Sequence, residues 1–187
     1  MTSSADDADL LQRIARQDQL ALRTLIGRHH VRLYRFLLRL VRDEAMAEEL
    51  ANEVFMEVWR NAGRYEGRSQ VGTWLLSIAR NRAISRLRKR RELGWDEDAA
   101  AEIADEDDDP EVTTQKRDKA AALRRCLEGL TVEHREIIDL VYYQERSVSE
   151  VAEIVGIPEN TVKTRLYYAR KKLSELMLVQ GVDRGWP

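Results

Sequence analysis

The sequence predicts an all-α protein, with two small helical domains joined by a flexible acidic linker and a helix-turn-helix as the C-terminal domain. Three observations lead there. Apolar residues recur at steps of three and four along most of the chain, the period of an amphipathic helix. The segment Glu92 to Glu111 carries eleven carboxylates, no Lys or Arg and few apolar side chains, so it has little with which to build a core. Further on, a capping signal, a glycine and a proline separate two helical patterns at close range. The resulting boundaries are a first domain over 1–92, a linker over 93–116 and a second domain over 117–187.

A length of 187 residues suits two small units that each bury a workable core. With 31 Lys and Arg against 33 Asp and Glu, the net charge of −2 gives no hint of a polyanionic partner. The distribution does. From Arg80 to Arg91 there are seven basic side chains and no carboxylate, a block that attracts phosphate and releases its counterions. A single cysteine excludes an intrachain disulfide and a multi-cysteine zinc site. The N-terminus lacks the basic and apolar regions of a signal peptide, and no apolar run approaches membrane-spanning length, so a cytoplasmic protein is expected. No Walker loop, metal-ligand cluster or nucleophile elbow is present, which leaves an enzyme reading without support and implies no cofactor.

In chain order, Leu10 to about Val41 reads as two helices, with Leu22, Leu25, Ile26 and His29 on one face and Leu33, Phe36, Leu37 and Leu40 later. His29 and His30 are adjacent and diverge on a helix, which makes them structural residues and not a metal pair. Asp43 and Glu44 sit where acids favour a helix start. The helix to about Asn61 has the stripe Ala47, Ala51, Val54, Phe55 and Val58, opposite Glu48, Glu49, Asn52, Glu53 and Glu57. That acidic face is either solvated surface or a docking face. Gly63, Gly67 and Gly72 punctuate the next loop, and the helix from Thr73 has the narrow stripe Leu76, Ala79, Ala83 and Leu87. Trp74 has two readings, a core residue or a platform for unpaired bases.

In the second domain, Ala120, Leu123, Cys126, Leu127 and Leu130 form a helical stripe, which makes Cys126 a small core residue. Thr131 is placed to cap the next helix. Ser147-Val148-Ser149-Glu150 is a capping box, followed by the apolar face Val148, Val151, Ala152 and Val155, then Gly156 at a left-handed cap and Ile157-Pro158 at the turn. The last helix turns Val162, Leu166, Ala169, Leu173 and Leu176 to the core. Asn160, Lys163, Thr164, Tyr167, Tyr168 and Lys171 face outward, with Arg165 and Arg170 at the flanks. A short capped helix, a glycine turn and a basic outward helix describe a unit that reads the major groove.

Two stretches then resemble bacterial sigma factors of the extracytoplasmic-function (ECF) group, group 4 of the sigma-70 family. Ala47 to Trp59, continued through Thr73-Trp74-Leu75 and Ile78-Ala79-Arg80-Asn81 to the arginine run, is similar to sigma region 2. Leu130 to Leu176, including Ile157-Pro158-Glu159-Asn160-Thr161-Val162-Lys163-Thr164-Arg165, is similar to region 4. The resemblance implies an alternative sigma factor that binds core RNA polymerase, at the clamp helices of the largest subunit and the flap region, and promoter DNA. It places polymerase docking on Glu49, Asn52 and Glu53. Reading and melting of the −10 element fall to Arg64, Ser69, Gln70, Trp74, Asn81, Arg82 and Arg86. The −35 element falls to Lys163, Thr164 and Tyr167, with Tyr168 beside them and Arg165, Arg170 and Lys171 on phosphate. Family members often carry Asp and Gln where this chain has Glu49 and Asn52. The resemblance also implies control by a separate anti-sigma factor. A regulator using the C-terminal helix-turn-helix alone, or a helical adaptor that never binds DNA, are the competing readings.

Overall fold

The computed structural model describes residues 4–94 and 114–180, and side chains over 6–94 and 121–180. Most of the acidic linker expected over 93–116, including Trp95, lies outside the described residues. Eight α-helices are described: α1 Ser4–Ala15, α2 Gln19–Val41, α3 Glu44–Asn61, α4 Val71–Glu92, α5 Thr114–Glu128, α6 Val132–Ile138, α7 Val148–Val155 and α8 Glu159–Val179. No strand occurs among them, and no described helix is long and apolar enough to cross a membrane. The chain divides into two compact units, the first built on α1 to α4 and the second on α5, α6 and α8.

In the first unit α2 is the central helix, packed against α1, α3 and α4. Leu25, Leu33, Phe36, Leu37 and Leu40 are buried, while Leu22, Ile26 and His29 are only partly covered. The predicted α3 stripe is buried throughout, and on α4 Val71, Thr73 and Leu75 join Leu76, Ala79 and Ala83. Each large aliphatic or aromatic side chain so buried stabilises by about 1.5–3 kcal/mol, and these seams hold the helices together. The predicted start of α4 at Thr73 moves to Val71, which places Gly72 inside the first helical turn.

The ends of these helices follow from single carboxylates. Asp18 Oδ1 accepts from the amides of Leu20 (2.9 Å) and Ala21 (3.1 Å), and Oδ2 accepts from Arg13 Nε (3.0 Å) and Nη2 (2.9 Å), which ties the end of α1 to the start of α2. Asp43 Oδ1 caps α3 through the Met46 amide at 2.9 Å. His29 serves structure as expected: its Nε2 lies 2.8 Å from the buried Asp7, which also accepts from Arg28 Nη1 at 2.8 Å and so fastens α1 to α2.

In the second unit α8 packs on α6 and α5, and Cys126 is fully buried on α5. Burial pushes its thiol pKa up, as a small core residue requires. Thr131 Oγ1 accepts from the His134 amide at 3.3 Å and caps α6. Beyond Ile138 this helix widens into a π-helical turn at Asp139–Tyr143. There the Gln144 amide reaches the Asp139 carbonyl (3.0 Å), and the buried side chains of the same two residues pair at 3.1 Å. The capping box forms reciprocally: the Ser147 amide donates to Glu150 Oε2 (2.9 Å) and the Glu150 amide to Ser147 Oγ (3.3 Å). Gly156, at φ 73°, ends α7 in the left-handed region that a side chain would strain.

The Asp18 pKa is held below its ordinary value of 3.8, first by the Ala21 amide and then by Arg13. A depressed carboxylate stabilises the fold above its unfolded pKa and loses that contribution as pH falls through the folded value. Asp18→Asn keeps a capping oxygen without titrating, so its unfolding midpoint should decline less steeply than wild type below about pH 4. Urea unfolding across that range checks this; parallel acid limbs would contradict it.

Candidate nucleic-acid interface

The loop before α4 is built around one aromatic contact. After the 3₁₀ turn Ala62–Arg64, the Tyr65 hydroxyl donates to the Ser69 carbonyl (2.5 Å), and its ring lies 5.4 Å from that of Trp74, tilted by 57°. Burial, followed by the charge of Asp7, raises the Tyr65 pKa, so the hydroxyl stays a donor. Of the three glycines expected to free this loop, Gly67 alone has a positive φ, 70°; Gly63 lies in the 3₁₀ turn. Trp74 is half-buried and held through its backbone, its amide on the Gln70 carbonyl (3.0 Å) and its own carbonyl accepting from Ser77 Oγ (2.7 Å). It is at once a packing residue and an accessible edge. Arg64 and Gln70 are exposed and Ser69 half-exposed around it. Asn81 follows two helical turns later on the same side of α4, also exposed.

Farther along α4 the arginines meet α3. Arg82 Nε and Nη2 donate to Glu57 Oε2 (2.8 and 2.6 Å), and its Nη1 donates to Glu53 Oε2 (2.5 Å). Arg86 grips Glu49 through Nη1 and Nη2 (3.0 and 3.2 Å) and Glu53 Oε1 through Nη2 (2.7 Å). Arg90 Nη1 reaches Asp43 Oδ2 at 3.3 Å. Arg82, Arg86 and Arg90 therefore recur every four residues along one stripe of α4, opposite Glu57, Glu53 and Glu49 descending every four along α3. The two helices are zipped antiparallel.

Burial alone would lower the Arg82 pKa, but its bonds to Glu57 and then Glu53 raise it overall; Arg86 is raised chiefly by Glu49. Both guanidiniums stay charged. Arg82, Glu53 and Glu57 are each about a third exposed, at 34%, 33% and 32%, so solvent screens the pairs and each contributes about 0.2–1 kcal/mol. Beside the zipper runs an open groove of about 430 Å³ lined by Glu53, Glu57, Ile78, Asn81, Arg82, Ser85, Arg86 and Lys89.

Sequence reasoning placed the carboxylates and the arginines in separate roles, and the structure brings Glu49 and Glu53 into direct contact with Arg82 and Arg86. Asn52 stands apart, exposed and 3.5 Å from Glu48 Oε1. Glu57, read only as part of the acidic face, and Arg90, read only as one base of the block, carry no site role in the sequence reading, although the matching four-residue spacing of acids and bases is visible there.

In the second unit the two faces of α8 separate as predicted. Val162, Leu166, Ala169 and Leu173 are buried; Lys163, Thr164, Tyr167, Tyr168, Arg170 and Lys171 are exposed and Arg165 half-exposed. Tyr167 and Tyr168 meet edge to face at 5.4 Å, and the Thr164 hydroxyl donates to the Asn160 carbonyl (2.9 Å), which fixes its methyl. Arg170 is positioned by Tyr142, a residue that sequence reading missed: its Nε donates to the phenolic oxygen (2.5 Å) and its guanidinium lies 5.4 Å from the ring centre.

A basic, aromatic-edged α4 and, later in the chain, a capped α7 followed after a glycine turn by the cationic face of α8 are the parts of a DNA-reading protein. Residues 25–92 match the family model for sigma-70 region 2, and residues 120–173 that for sigma-70 region 4. The ECF RNA polymerase sigma factor SigK of Mycobacterium bovis (strain BCG / Pasteur 1173P2) is 30% identical over 176 residues, covering 91% of this chain and 92% of the relative. SigK of Mycobacterium ulcerans is 30% identical over 174 residues, covering 90% and 92%. Among solved structures, the sigma factor RpoE in complex with the anti-sigma factor NepR from Bartonella quintana aligns with a TM-score of 0.69 at 26% identity, over 84% of this chain and 96% of that one. CnrH in complex with the cytosolic domain of CnrY shares the fold, with a TM-score of 0.67 at 24% identity over 93% and 98%. The chain belongs to the family of ECF RNA polymerase sigma factors, which are transcription initiation factors.

Tyr65→Phe removes the hydrogen bond to the Ser69 carbonyl while keeping the ring against Trp74. A lost bond of about 1 kcal/mol corresponds to roughly fivefold faster exchange of the loop's Tyr65 amide, which donates to the Ala62 carbonyl, with exchange in α2 unchanged. Equal protection of the loop in both proteins would remove Tyr65 as its brace.

Proposed function

We propose that this protein is an alternative sigma factor that acts by binding, without chemistry of its own, in the cytoplasm. The first domain, 1–92, docks on core RNA polymerase and handles the −10 element; the segment 93–116 links it to the −35-reading domain, 117–187. What supports this most directly is the pairing, in sigma order, of the braced Trp74 corner with the exposed face of α8.

In the first domain, Glu49, Asn52 and Glu53 serve the clamp helices of the largest polymerase subunit, where charge favours docking speed and register. Arg64, Ser69, Gln70, Trp74 and Asn81 surround the place where a non-template base leaves the stack, with Arg82 and Arg86 for phosphate. Unstacking costs on the order of a few kcal/mol, which the Trp74 edge and the phosphate contacts offset. In the second domain, which also meets the flap region, Lys163, Thr164 and Tyr167 face base edges, with Tyr168 alongside; Arg165, Arg170 and Lys171 take phosphate. The similarity to RpoE, whose structure is of a complex with an anti-sigma factor, supports control by such a protein.

With core polymerase present, Trp74→Ala should leave polymerase binding unchanged and slow promoter opening at least tenfold; normal opening would remove the melting role. Lys163→Ala should relax −35 discrimination about tenfold, since a good base contact is worth roughly 1–3 kcal/mol. Arg170→Ala should weaken binding evenly across sequences and lower the salt slope by about one. Competition binding with altered −35 sequences separates the two, and the same sequence-dependent loss in both variants would contradict the division.

A further inference from the structure

The zipper joins the two functions proposed for the first domain, and this inference rests on that proposal. Glu53 stands at its centre, accepting from Arg82 on one oxygen and Arg86 on the other. The carboxylates available to a polymerase are thus occupied by the guanidiniums available to phosphate. We infer that the α3–α4 network is a charge latch: in the free protein Glu49, Glu53 and Glu57 hold Arg82 and Arg86 away from DNA, and polymerase cations that engage α3 release them.

Three observations carry this. The pairs are solvent-accessible, at 33% exposure for both Arg86 and Glu53, so they exchange partners without the helices separating. α3 packs on α4, and Val54, Val58, Leu75 and Ala79 on these helices are buried, so apolar burial and not the charges does most of the holding. The groove beside the network brings Asn81 and Lys89 to the same arginines, which gives a released guanidinium a polar channel able to take a phosphate-bearing strand. Linkage then makes the coupling reciprocal: what favours docking favours strand binding, and the reverse.

Glu57 is the residue to change, since it holds two of the three Arg82 bonds and has no assigned polymerase role. The probe is a fluorescent single-stranded oligonucleotide carrying a −10-like sequence, titrated at low salt against the full-length protein without polymerase. Glu57→Gln should bind about fivefold tighter than wild type, with the log–log salt slope steeper by about 0.7, one additional phosphate on a single strand. Glu48→Gln, which removes the same charge outside the network, measures the generic effect and should give less than half that gain. In an Arg82→Ala background the Glu57→Gln gain should vanish.

An unchanged affinity for Glu57→Gln, an equal gain for Glu48→Gln, or a gain that survives Arg82→Ala would each overturn the latch. Wild-type protein with core polymerase on promoter DNA is run alongside. Absence of binding there overturns the sigma reading and the latch with it, whereas binding there without a Glu57→Gln gain overturns the latch alone.

Discussion

In the first unit, built around α2, the antiparallel contact of α3 and α4 is the constraint on which the charged network and its neighbouring groove depend. Its apolar seam supplies most of the stabilisation, at about 1.5–3 kcal/mol for each large buried side chain, against about 0.2–1 kcal/mol for each flanking ion pair. Alanines at positions 47, 51, 79 and 83 are all fully buried and keep the helix backbones close, which brings guanidinium and carboxylate groups within hydrogen-bonding reach. Because apolar packing does the holding, the charges beside it remain exchangeable.

The second unit divides its tasks differently. On α8 a single helical period sends apolar residues inward and leaves a cationic, tyrosine-bearing face outside. Local devices set that face: Gly156 turns the chain, the capping box starts α7, and Tyr142, delivered by the π-helical turn, orients Arg170. The widened turn matters because it follows α6 and places the Tyr142 ring against Arg170, a basic side chain 28 residues further on in another helix. Likewise Tyr65 braces Trp74 across a short loop. In both units an aromatic neighbour fixes a residue proposed to meet DNA, which lowers the conformational entropy lost on binding.

Much of this was legible because it is local. The capping box, the Thr131 and Asp43 caps, the left-handed Gly156 and the two-faced α8 each depend on residues within a few positions of one another. The start of α4 was misplaced because three closely spaced glycines read as one loop, whereas Gly72 takes helical dihedrals and Gly67 alone uses glycine's freedom. The π-helical turn was missed because its cause, a buried Asp139–Gln144 pair, looks like ordinary polar sequence. The meeting of Glu49 and Glu53 with Arg82 and Arg86 spans more than twenty-five residues of chain, and each stripe by itself reads equally well as solvated surface. Only the direction in which two helices pack turns parallel spacing into contact.

The central claim, that this chain acts as a polymerase-borne promoter reader, is tested most directly by gel filtration with sigma-free core RNA polymerase, followed by transcription from a template carrying −35 and −10 elements. The account predicts one-to-one co-elution and initiation only when both components are present. Folded protein, freed of any inhibitor, that elutes apart from the polymerase yet binds duplex DNA through α8 alone would contradict it.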